Sequence, residues 1–569
     1  MTQARTHRRP EGSLRTMQNH PRPAVALLLA LLGLGLGLSP VTLAAPAEGA
    51  VQQQLVVQVG KLRASGGLYL QGLAIASGSL LPDFYGARTY APVWTRSGRV
   101  DELLTLLASA ESHGLSSEDY YLSPLKALRQ RVVSSDDAAL AADFDLLLTE
   151  SLIRFGYHQR FGKVNPQRIE STWNFTRHFR AGRDPLNTLT EAVAAPSLAE
   201  FLGQWLDRAP LYRSLQARLA EYRALAAAGG WPEVPEGPTL KPGATDPRLP
   251  LLRERLIVTG DLPGTTPVSG TYDEILVAGV QRFQARHTLD VDGVLGAGTL
   301  AALNVPVSAR IDQLRLSLER ARWVLEDTAG EVVVVNVAGY EVFATRNGAP
   351  FWWRRAVVGT QARETPIFKA SITYLDLNPT WTVPPTILRE DILPKVRRDP
   401  GYLRSQNISV LDSSGRPVNA AAIDWQAVGS RPPYILRQGP GPGNALGRIK
   451  FMFPNAHSVF LHDTPSRGLF EKAERNFSSG CIRVEDPLSL AEILLADPAK
   501  WNRAGLEAAI ATGTTRTVRL PKPWPILILY WTAELDSEGR VRFLPDVYRR
   551  DPGLLQALNG EVVIDFPSL

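Results

Sequence analysis

The sequence has 569 residues, of which 44% are hydrophobic and 21% are charged, values that are ordinary for a globular protein. This length is enough for roughly three or four domains. The net charge of +6 and the pI near 9.3 are spread over the whole chain, which suits an anionic envelope. Because no run of Lys and Arg alternates with aromatic residues, the composition does not favour nucleic-acid binding.

Residues 1–44 have the three-part pattern of a secretory signal peptide. Arginines precede an apolar run from Ala24 to Leu38, and small residues then lead to an expected cleavage site after Ala44. Met17 is an alternative start. The apolar run of about fifteen residues is short for a membrane span, which needs about twenty. Cleavage is therefore favoured over an uncleaved anchor, and we expect a periplasmic protein with no membrane span after cleavage.

Residues 45–245 are predicted to form a helical scaffold domain that ends in a connection rich in Gly and Pro. Apolar residues recur at helical spacing over Asp101–Ala110 and over Asp137–Arg160, where Asp137 suits the positive end of a helix dipole. The histidines of this region lack metal-ligand spacing, so we expect them to be structural. They are His113, His158 and His178.

Residues 246–305 are predicted to form a compact unit of three helices, with apolar stripes on each helix. Phe283-Gln284, followed by Asp292-Gly293 and Thr299, resembles the peptidoglycan-binding module that is often appended to cell-wall enzymes. A docking domain that no longer binds glycan is the alternative. A connecting helix at Ile311–Leu325, within residues 306–330, then leads to the last domain.

Residues 331–569 are rich in β-branched residues and in alternating patterns, which predict a β-rich domain. The expected strands are Glu331–Val337, Tyr340–Thr345, Phe351–Val358, Phe368–Leu375, Ser458–His462, Thr517–Leu520, Ile526–Ala533 and Val541–Leu544. Residues 386–446 interrupt this pattern with a helix at Thr386–Asp399 and several turns. We expect a helix-and-loop insertion that caps the active site. The predicted fold class is multidomain α+β.

The only cysteine of the chain, Cys481, lies nineteen residues after His462. If Ser458–His462 is a strand, Ser458, Phe460 and His462 share one face. A short helix at Leu469–Arg475 and a polar turn at Asn476–Gly480 are expected to deliver the thiol, and a helix is expected to begin near Pro487.

A lone cysteine is commonly a small buried hydrophobe, and this interpretation stays open. The polar flanks of Cys481 and the conformational freedom of Gly480 favour instead a nucleophile with His462 as its base. The histidine and the charge of Arg483 are expected to favour the thiolate.

Ser479-Gly480-Cys481-Ile482-Arg483-Val484, with His462 upstream, resembles the active-site signature of the YkuD-type L,D-transpeptidases. The stretches 378–384 and 450–455 are similar to those of the large periplasmic subgroup, the YcbB-type murein L,D-transpeptidases. The resemblance implies attack by Cys481 on a peptidoglycan tetrapeptide stem, a thioester intermediate, and transfer to the amine of a second stem as a 3→3 crosslink. The alternatives are an L,D-carboxypeptidase or endopeptidase with the same site, and a non-catalytic wall-binding protein.

The resemblance also indicates roles for the surrounding groups. The backbone N–H groups near Ser479 and Gly480 are expected oxyanion donors. Arg483 is expected either to bind a stem carboxylate or to brace the loop, and Phe460 and Trp381 either wall the substrate pocket or belong to the core. No metal or other cofactor is expected, because the sequence has no clustered Cys/His set. A carbapenem is the expected covalent inhibitor.

Overall fold

The computed structural model of the protein describes residues 46–65, 69–175, 184–204, 210–266, 269–324 and 326–566. The predicted signal segment 1–44, His178 and Leu325 lie outside these residues. The described chain has a helical N-terminal region, a small helical domain and a β-rich domain, which confirms the multidomain α+β fold class. No helix within the described residues is both long and apolar enough to cross a membrane.

The N-terminal region is built around one long buried helix, α5 (Ala138–Phe161). It begins as predicted, because the carboxylate of Asp137 accepts hydrogen bonds from the N–H groups of Ala139 at 2.8 Å and Leu140 at 3.2 Å. Among the described residues of this region, the other elements are a hairpin, β1 (Tyr69–Leu70) and β2 (Leu73–Ala74), three short 3-10 helices (Ser109–His113, Ser117–Tyr120 and Pro166–Arg168) and seven α-helices. These are α1 (Glu48–Ser65), α2 (Leu80–Ala87), α3 (Arg99–Ala108), α4 (Leu122–Val133), α6 (Pro185–Ala194), α7 (Leu198–Gly203) and α8 (Pro210–Ala227).

The small helical domain has the three predicted helices, α9 (Leu249–Val258), α10 (Glu274–Arg286) and α11 (Ala297–Leu303). Their apolar stripes meet in a core of their own, separate from the other cores. The connecting helix α12 (Val307–Val324) begins four residues earlier than predicted and packs on α8.

The main sheet of the β-rich domain is built from nine strands of the described residues: β3 (Glu331–Asn336), β4 (Glu341–Arg346), β5 (Ala349–Gly359), β6 (Phe368–Leu377), β11 (Ile449–Met452), β12 (Leu461–His462), β13 (Asn476–Ser478), β14 (Ile482–Val484) and β15 (Arg516–Leu529). The sheet is a barrel, because β5 pairs both with β4 and with β14 and so closes it. Around the barrel the order is β5, β14, β12, β11, β6, β15, β3, β4, and β13 adds to the end of β5. A separate hairpin, β16 (Ala533–Leu535) and β17 (Val541–Phe543), and helices α16 (Pro487–Leu495), α17 (Arg503–Ala511) and α18 (Asp551–Leu558) complete it.

The prediction of two separate strands at Thr517–Leu520 and Ile526–Ala533 was wrong. Both segments belong to β15, which continues along β6 across an irregularity between Arg519 and Trp524. Pro521, Pro523 and Pro525, which lie between the two predicted segments, hide this continuity from a local pattern, since each lacks the N–H that a regular strand would donate. Ala533 lies in the next strand, β16.

Two rows of residues cross the barrel side by side and define its two faces. One row is apolar and buried: Ile482, Leu461, Phe451, Leu375 and Val518 are successive register partners. The adjacent row is polar: Arg483, His462, Lys450, Asp376 and Thr517. Because neighbouring residues of a strand point to opposite faces, the first row fills the core and the second lies on the outer face.

Residues 381–438, which we name the capping subdomain after the predicted insertion, have their own apolar core around Val396, Val410 and Leu436. The expected helix is present as α13 (Pro385–Ile387), a π-helical turn (Leu388–Ile392) and α14 (Leu393–Arg398), followed by α15 (Tyr402–Ser405). The expectation that the remainder is loop was wrong, because four short strands form a sheet. They are β7 (Trp381–Thr382), β8 (Ile408–Leu411), β9 (Pro417–Val418) and β10 (Ile435–Gln438).

Candidate active site

Cys481 lies in a tight turn between β13 and β14. The expected helix at Leu469–Arg475 is instead a 3-10 turn (Arg467–Glu471) followed by extended chain. The expected polar turn at 476–480 is also shorter than predicted, because Asn476–Ser478 pairs with β5 and only Ser479 and Gly480 make the turn. Gly480 has a φ of +107°, a conformation that L side chains rarely adopt, as the flanking glycine predicted.

Hydrogen bonds hold every residue of this turn. The Ser478 carbonyl accepts from the N–H of Thr360 at 3.0 Å, and the Gly480 carbonyl accepts from the Thr365 hydroxyl at 2.9 Å. The Ser478 hydroxyl donates to the carbonyl of Cys481 and accepts from the N–H of Gly480 at 3.1 Å. The predicted oxyanion donor Gly480 therefore already has a partner in the resting protein.

His462 is buried on β12, and its Nδ1 hydrogen-bonds the backbone carbonyl of the next residue, Asp463. A carbonyl can only accept, so Nδ1 carries the proton and Nε2 keeps a lone pair. The Asp463 carboxylate is itself buried, and it accepts from the side chain of Arg467 and from the N–H of Arg448 at 2.9 Å. This anchoring fixes the carbonyl that orients the imidazole.

The register of β12 and β14 brings His462 and Cys481 to the same face of the barrel. His462 and Arg483 are partners in these parallel strands, so their side chains point the same way. Cys481 precedes Arg483 by two residues, and the N–H of Ile482 donates to the Phe460 carbonyl at 3.1 Å, which extends the pairing toward the cysteine. The thiol and the imidazole are therefore diagonal neighbours on adjacent strands.

The strand predicted at Ser458–His462 is shorter than expected. Only Leu461 and His462 are in β12, and Ser458 has a φ of +56°, so it does not share a face with Phe460 and His462. The cause is Asn455, whose side-chain oxygen accepts from the N–H of His457 at 2.9 Å and bends the chain into a turn. The bend brings the Ser458 carbonyl to the thiol, which donates to it at 3.8 Å.

The electrostatics of the pair favour two neutral groups. Burial, with Arg483 and Lys450 nearby, lowers the pKa of His462 to about 3. Burial also raises the pKa of the Cys481 thiol, against the opposite effect of the Phe460 N–H, Lys450 and Arg483. The expectation that the resting site favours a thiolate was therefore wrong, because desolvation outweighs the positive charges.

Two cations stand beside His462, one on each neighbouring strand. Arg483 is its register partner on β14 and Lys450 is its register partner on β11. Within the described residues neither cation forms an ion pair, although Asp376 is the register partner of Lys450 on β6. Arg483 Nε is buried without a hydrogen-bond partner. Sequence analysis missed Lys450, although the alternation of Ile449, Lys450 and Phe451 is typical of a strand with one polar face.

The two aromatic candidates occupy different places. The Phe460 ring lies 5.7 Å from the His462 ring and 3.9 Å from Lys450 Nζ, so it belongs to the site. Trp381 lies on β7 of the capping subdomain, opposite Gln438, and packs against the core of that subdomain. Among the described residues no cluster of three or more His, Cys, Asp or Glu side chains could hold a metal ion.

The comparison with protein families decides what this site belongs to. Residues 330–518 match the family described as the L,D-transpeptidase catalytic domain. The chain carries an L,D-transpeptidase catalytic domain of the YkuD family. The L,D-transpeptidase domain is preceded by residues 79–219, which match a scaffold domain, and by residues 245–303, which match a "Putative peptidoglycan binding domain".

A relative of the chain is the "Putative L,D-transpeptidase" of Haemophilus influenzae, which is 35% identical over 252 residues. The match covers 44% of this chain and 50% of that protein, so the chain spans about half the length of its curated relative. The L,D-transpeptidase structure from Xylanimonas cellulosilytica shares 15% identity over 52% of this chain and 99% of that one, at a TM-score of 0.18. The L,D-transpeptidase from Stackebrandtia nassauensis shares 12% identity over 51% and 94%, at a TM-score of 0.21.

Proposed function

We propose that this protein is a cysteine-dependent L,D-transpeptidase that forms 3→3 crosslinks between peptidoglycan tetrapeptide stems. One observation carries the proposal. Cys481 and the neutral, buried His462 lie on one face of adjacent parallel strands, and His462 is flanked by two cations, Arg483 and Lys450, that form no ion pair within the described residues. This arrangement provides a nucleophile, a base and binding groups for an anionic donor.

The first half of the reaction acylates the enzyme. Nε2 of His462 takes the thiol proton as the sulfur of Cys481 attacks the amide carbonyl of the donor stem, and a C–S bond forms. The C–N bond then breaks, and the leaving amine, a D-alanine, takes the proton from the imidazolium. Backbone N–H groups of the turn at Ser479–Cys481 would stabilise the oxyanion, with that of Gly480 released from Ser478 or shared with it.

The second half transfers the acyl group. The side-chain amine of a neighbouring stem attacks the thioester carbonyl, its proton passes to His462, and the C–S bond breaks to regenerate the cysteine. Water in place of the amine would give a carboxypeptidase or endopeptidase with the same first step.

Arg483 and Lys450 are suited to bind carboxylates of the donor stem. Each lies one strand away from His462, so the two flank the reacting pair on the outer face. A lysine held over the Phe460 ring and an arginine with a buried, unpartnered Nε both gain when an anion enters. Phe460 then forms part of the pocket wall, and Trp381 would line it from the capping side.

The matches of the accompanying domains support a location of this chemistry at the cell wall. We propose that residues 1–44 are a cleaved signal peptide, that the mature protein works in the periplasm, and that residues 246–305 bind peptidoglycan. Residues 45–245 would be the scaffold, and residues 331–569 the catalytic domain with its cap. A carbapenem would acylate Cys481, because its strained carbonyl suits a thiol that is activated by a base.

The test is incubation of the purified mature protein with disaccharide-tetrapeptides, followed by mass spectrometry of the products. Crosslinked dimers with loss of one D-alanine for each new bond support the transpeptidase. Tripeptides alone, in the presence of excess acceptor amine, would show a carboxypeptidase. No change in the tetrapeptide and no acylation of Cys481 would indicate a non-catalytic protein.

A further inference from the structure

One hydrogen bond of the nucleophile turn comes from a side chain that the capping subdomain also contacts. Ser478, Gly480 and Cys481 are held by groups of the barrel and its loops, or by each other. The Ser479 hydroxyl, in contrast, accepts from Nη1 of Arg363 at 2.8 Å. Arg363 is thus the point at which the cap and the turn of Cys481 meet.

Arg363 belongs to the loop between β5 and β6, which packs tightly against the nucleophile turn. A Cβ on Gly359 would lie 2.2 Å from the Arg363 carbonyl oxygen, and a Cβ on Gly480 would lie 3.3 Å from that of Glu364. Thr365 accepts from the Gly359 N–H at 2.9 Å while it donates to the Gly480 carbonyl. The backbone of Arg363 is therefore fixed, and only its guanidinium reaches outward.

The guanidinium holds two cap carboxylates as well as Ser479. Nη1 donates to Asp391 at 2.6 Å and Nη2 donates to Glu390 at 2.6 Å, both in the π-helical turn of the cap. Nη1 therefore donates to both Asp391 and Ser479. Because the guanidinium is planar and its donors keep a fixed geometry, the two carboxylates set the plane in which the Ser479 hydrogen bond is made.

We propose that Arg363 is a positioning residue for the reaction at Cys481, holding Ser479 in its reactive place only while the cap carboxylates hold Arg363. This inference rests on the proposed function. When the cap lifts, Asp391 and Glu390 leave, the guanidinium is free to rotate, and Ser479 loses its donor. The turn that carries the thiol and the oxyanion N–H groups therefore keeps all of its hydrogen bonds only while the cap is closed over the donor.

The exposure of these ion pairs suits such a reversible contact. The side chain of Arg363 is 25% exposed, that of Glu390 is 41% exposed and that of Asp391 is 39% exposed. Partly exposed ion pairs contribute little to stability, so the free energy needed to break them is too small to keep the cap closed permanently. Their effect is on geometry, where a small displacement of reacting groups has a large effect on rate.

The first experiment measures single-turnover acylation of Cys481 by a disaccharide-tetrapeptide, using intact-protein mass spectrometry. Arg363→Gln should lower the saturating acylation rate about tenfold, the effect of losing one charge-assisted hydrogen bond, with little change in half-saturating donor concentration. Arg389→Gln is the matched control, because Arg389 contacts Glu390 at 2.5 Å but has no contact with Ser479. Equal rates for the two variants would overturn the proposal.

A double-mutant cycle separates positioning from simple attachment of the cap. In a Ser479→Ala background, Arg363→Gln should cause no further loss of acylation rate, whereas additive losses would contradict a route through Ser479. The charge reversal Arg363→Asp with Asp391→Arg re-forms an ion pair to the cap, so the cap should resist protease as well as it does in the unaltered protein. Acylation should stay slow, because position 363 then has no donor for Ser479. Full recovery of the rate would show that only cap attachment matters.

The two proposals fail in different ways. If the unaltered protein is not acylated at Cys481, the proposed function fails. If it is acylated and Arg363→Gln behaves like Arg389→Gln, only the positioning role fails. Where the charge reversal does not fold, the double-mutant cycle still decides.

Discussion

His462 and Arg483 are register partners on adjacent parallel strands, so the imidazole and the guanidinium share one outer face of the barrel. Burial of His462, aided by this neighbouring charge, lowers the pKa of His462 to about 3. With a pKa of about 3, the histidine is a neutral base near neutral pH. Because burial also raises the pKa of the Cys481 thiol, we infer activation by proton transfer during attack rather than by a resting ion pair.

The first prediction concerns the pH dependence of acylation. Between the low pKa of His462 and the raised pKa of Cys481, both groups are neutral, so the acylation rate of the unaltered protein by a carbapenem should be flat from pH 5 to pH 8. His462→Ala should react far more slowly at pH 7. Its rate should rise about tenfold per pH unit toward the thiol pKa, because only the thiolate fraction reacts. Superimposable profiles for the two proteins would show that His462 is not the base.

The second prediction concerns Lys450. If its ammonium binds a donor carboxylate, Lys450→Met should raise the KM for disaccharide-tetrapeptide about tenfold, as expected for loss of one charged contact. A series of donors, each amidated at one carboxylate, should identify the group that Lys450 binds. For the donor that lacks that carboxylate, Lys450→Met and the unaltered protein should have nearly the same KM. Lys522→Met is the control, since Lys522 is exposed and pairs with Glu331 at 2.7 Å. An unchanged KM for Lys450→Met would exclude the contact.

The third prediction concerns the support of the base by Asp463. Asp463→Ala leaves Nη2 of Arg467 and the N–H of Arg448 without this acceptor, and it loosens the segment whose carbonyl orients His462. The free energy of unfolding should fall by about 1–3 kcal/mol, and acylation should slow. Asp412→Ala is the control, since the Asp412 carboxylate also accepts from a backbone N–H and an arginine, those of Arg416, but lies in the capping subdomain. Equal effects of the two substitutions on acylation would refute the support role.

The fourth prediction uses two glycines with the same kind of backbone. Gly447 has a φ of +62°, and a Cβ there would lie 2.5 Å from both Cβ and Cγ of Asp463. Gly415, in the cap, has a φ of +84° and open space around it. Gly415→Ala should cost about 1–2 kcal/mol, from the strain of left-handed backbone alone, whereas Gly447→Ala should cost more and should also slow acylation by displacing Asp463. Chemical denaturation and the acylation assay measure both effects, and a smaller cost at Gly447 would contradict the packing.

Much of the architecture follows from local patterns. The capping Asp137 and an apolar stripe predict helix α5. The position of Gly480 before the only cysteine predicts its positive φ. The resemblance at Ser479–Val484 is enough to propose Cys481 as the nucleophile from the sequence alone.

The remaining features depend on contacts between distant parts of the chain. The turn at Ser458 is made by the side chain of Asn455, and the unity of β15 by its pairing with β6. Lys450 joins the site because its strand lies beside that of His462, and Arg363 because its loop packs on the turn. Register and packing of this kind are not encoded in the periodicity of any one segment.

The central claim is that Cys481, with His462 as its base, forms a thioester with the donor stem and passes the acyl group to an amine. The most direct measurement is intact-protein mass spectrometry of the unaltered protein and of Cys481→Ala after mixing with disaccharide-tetrapeptide, with the products analysed in parallel. The unaltered protein should gain the mass of the donor less one D-alanine on Cys481 and should yield crosslinked dimers, while the folded alanine variant should give neither. Crosslinked dimers made by Cys481→Ala would contradict the account.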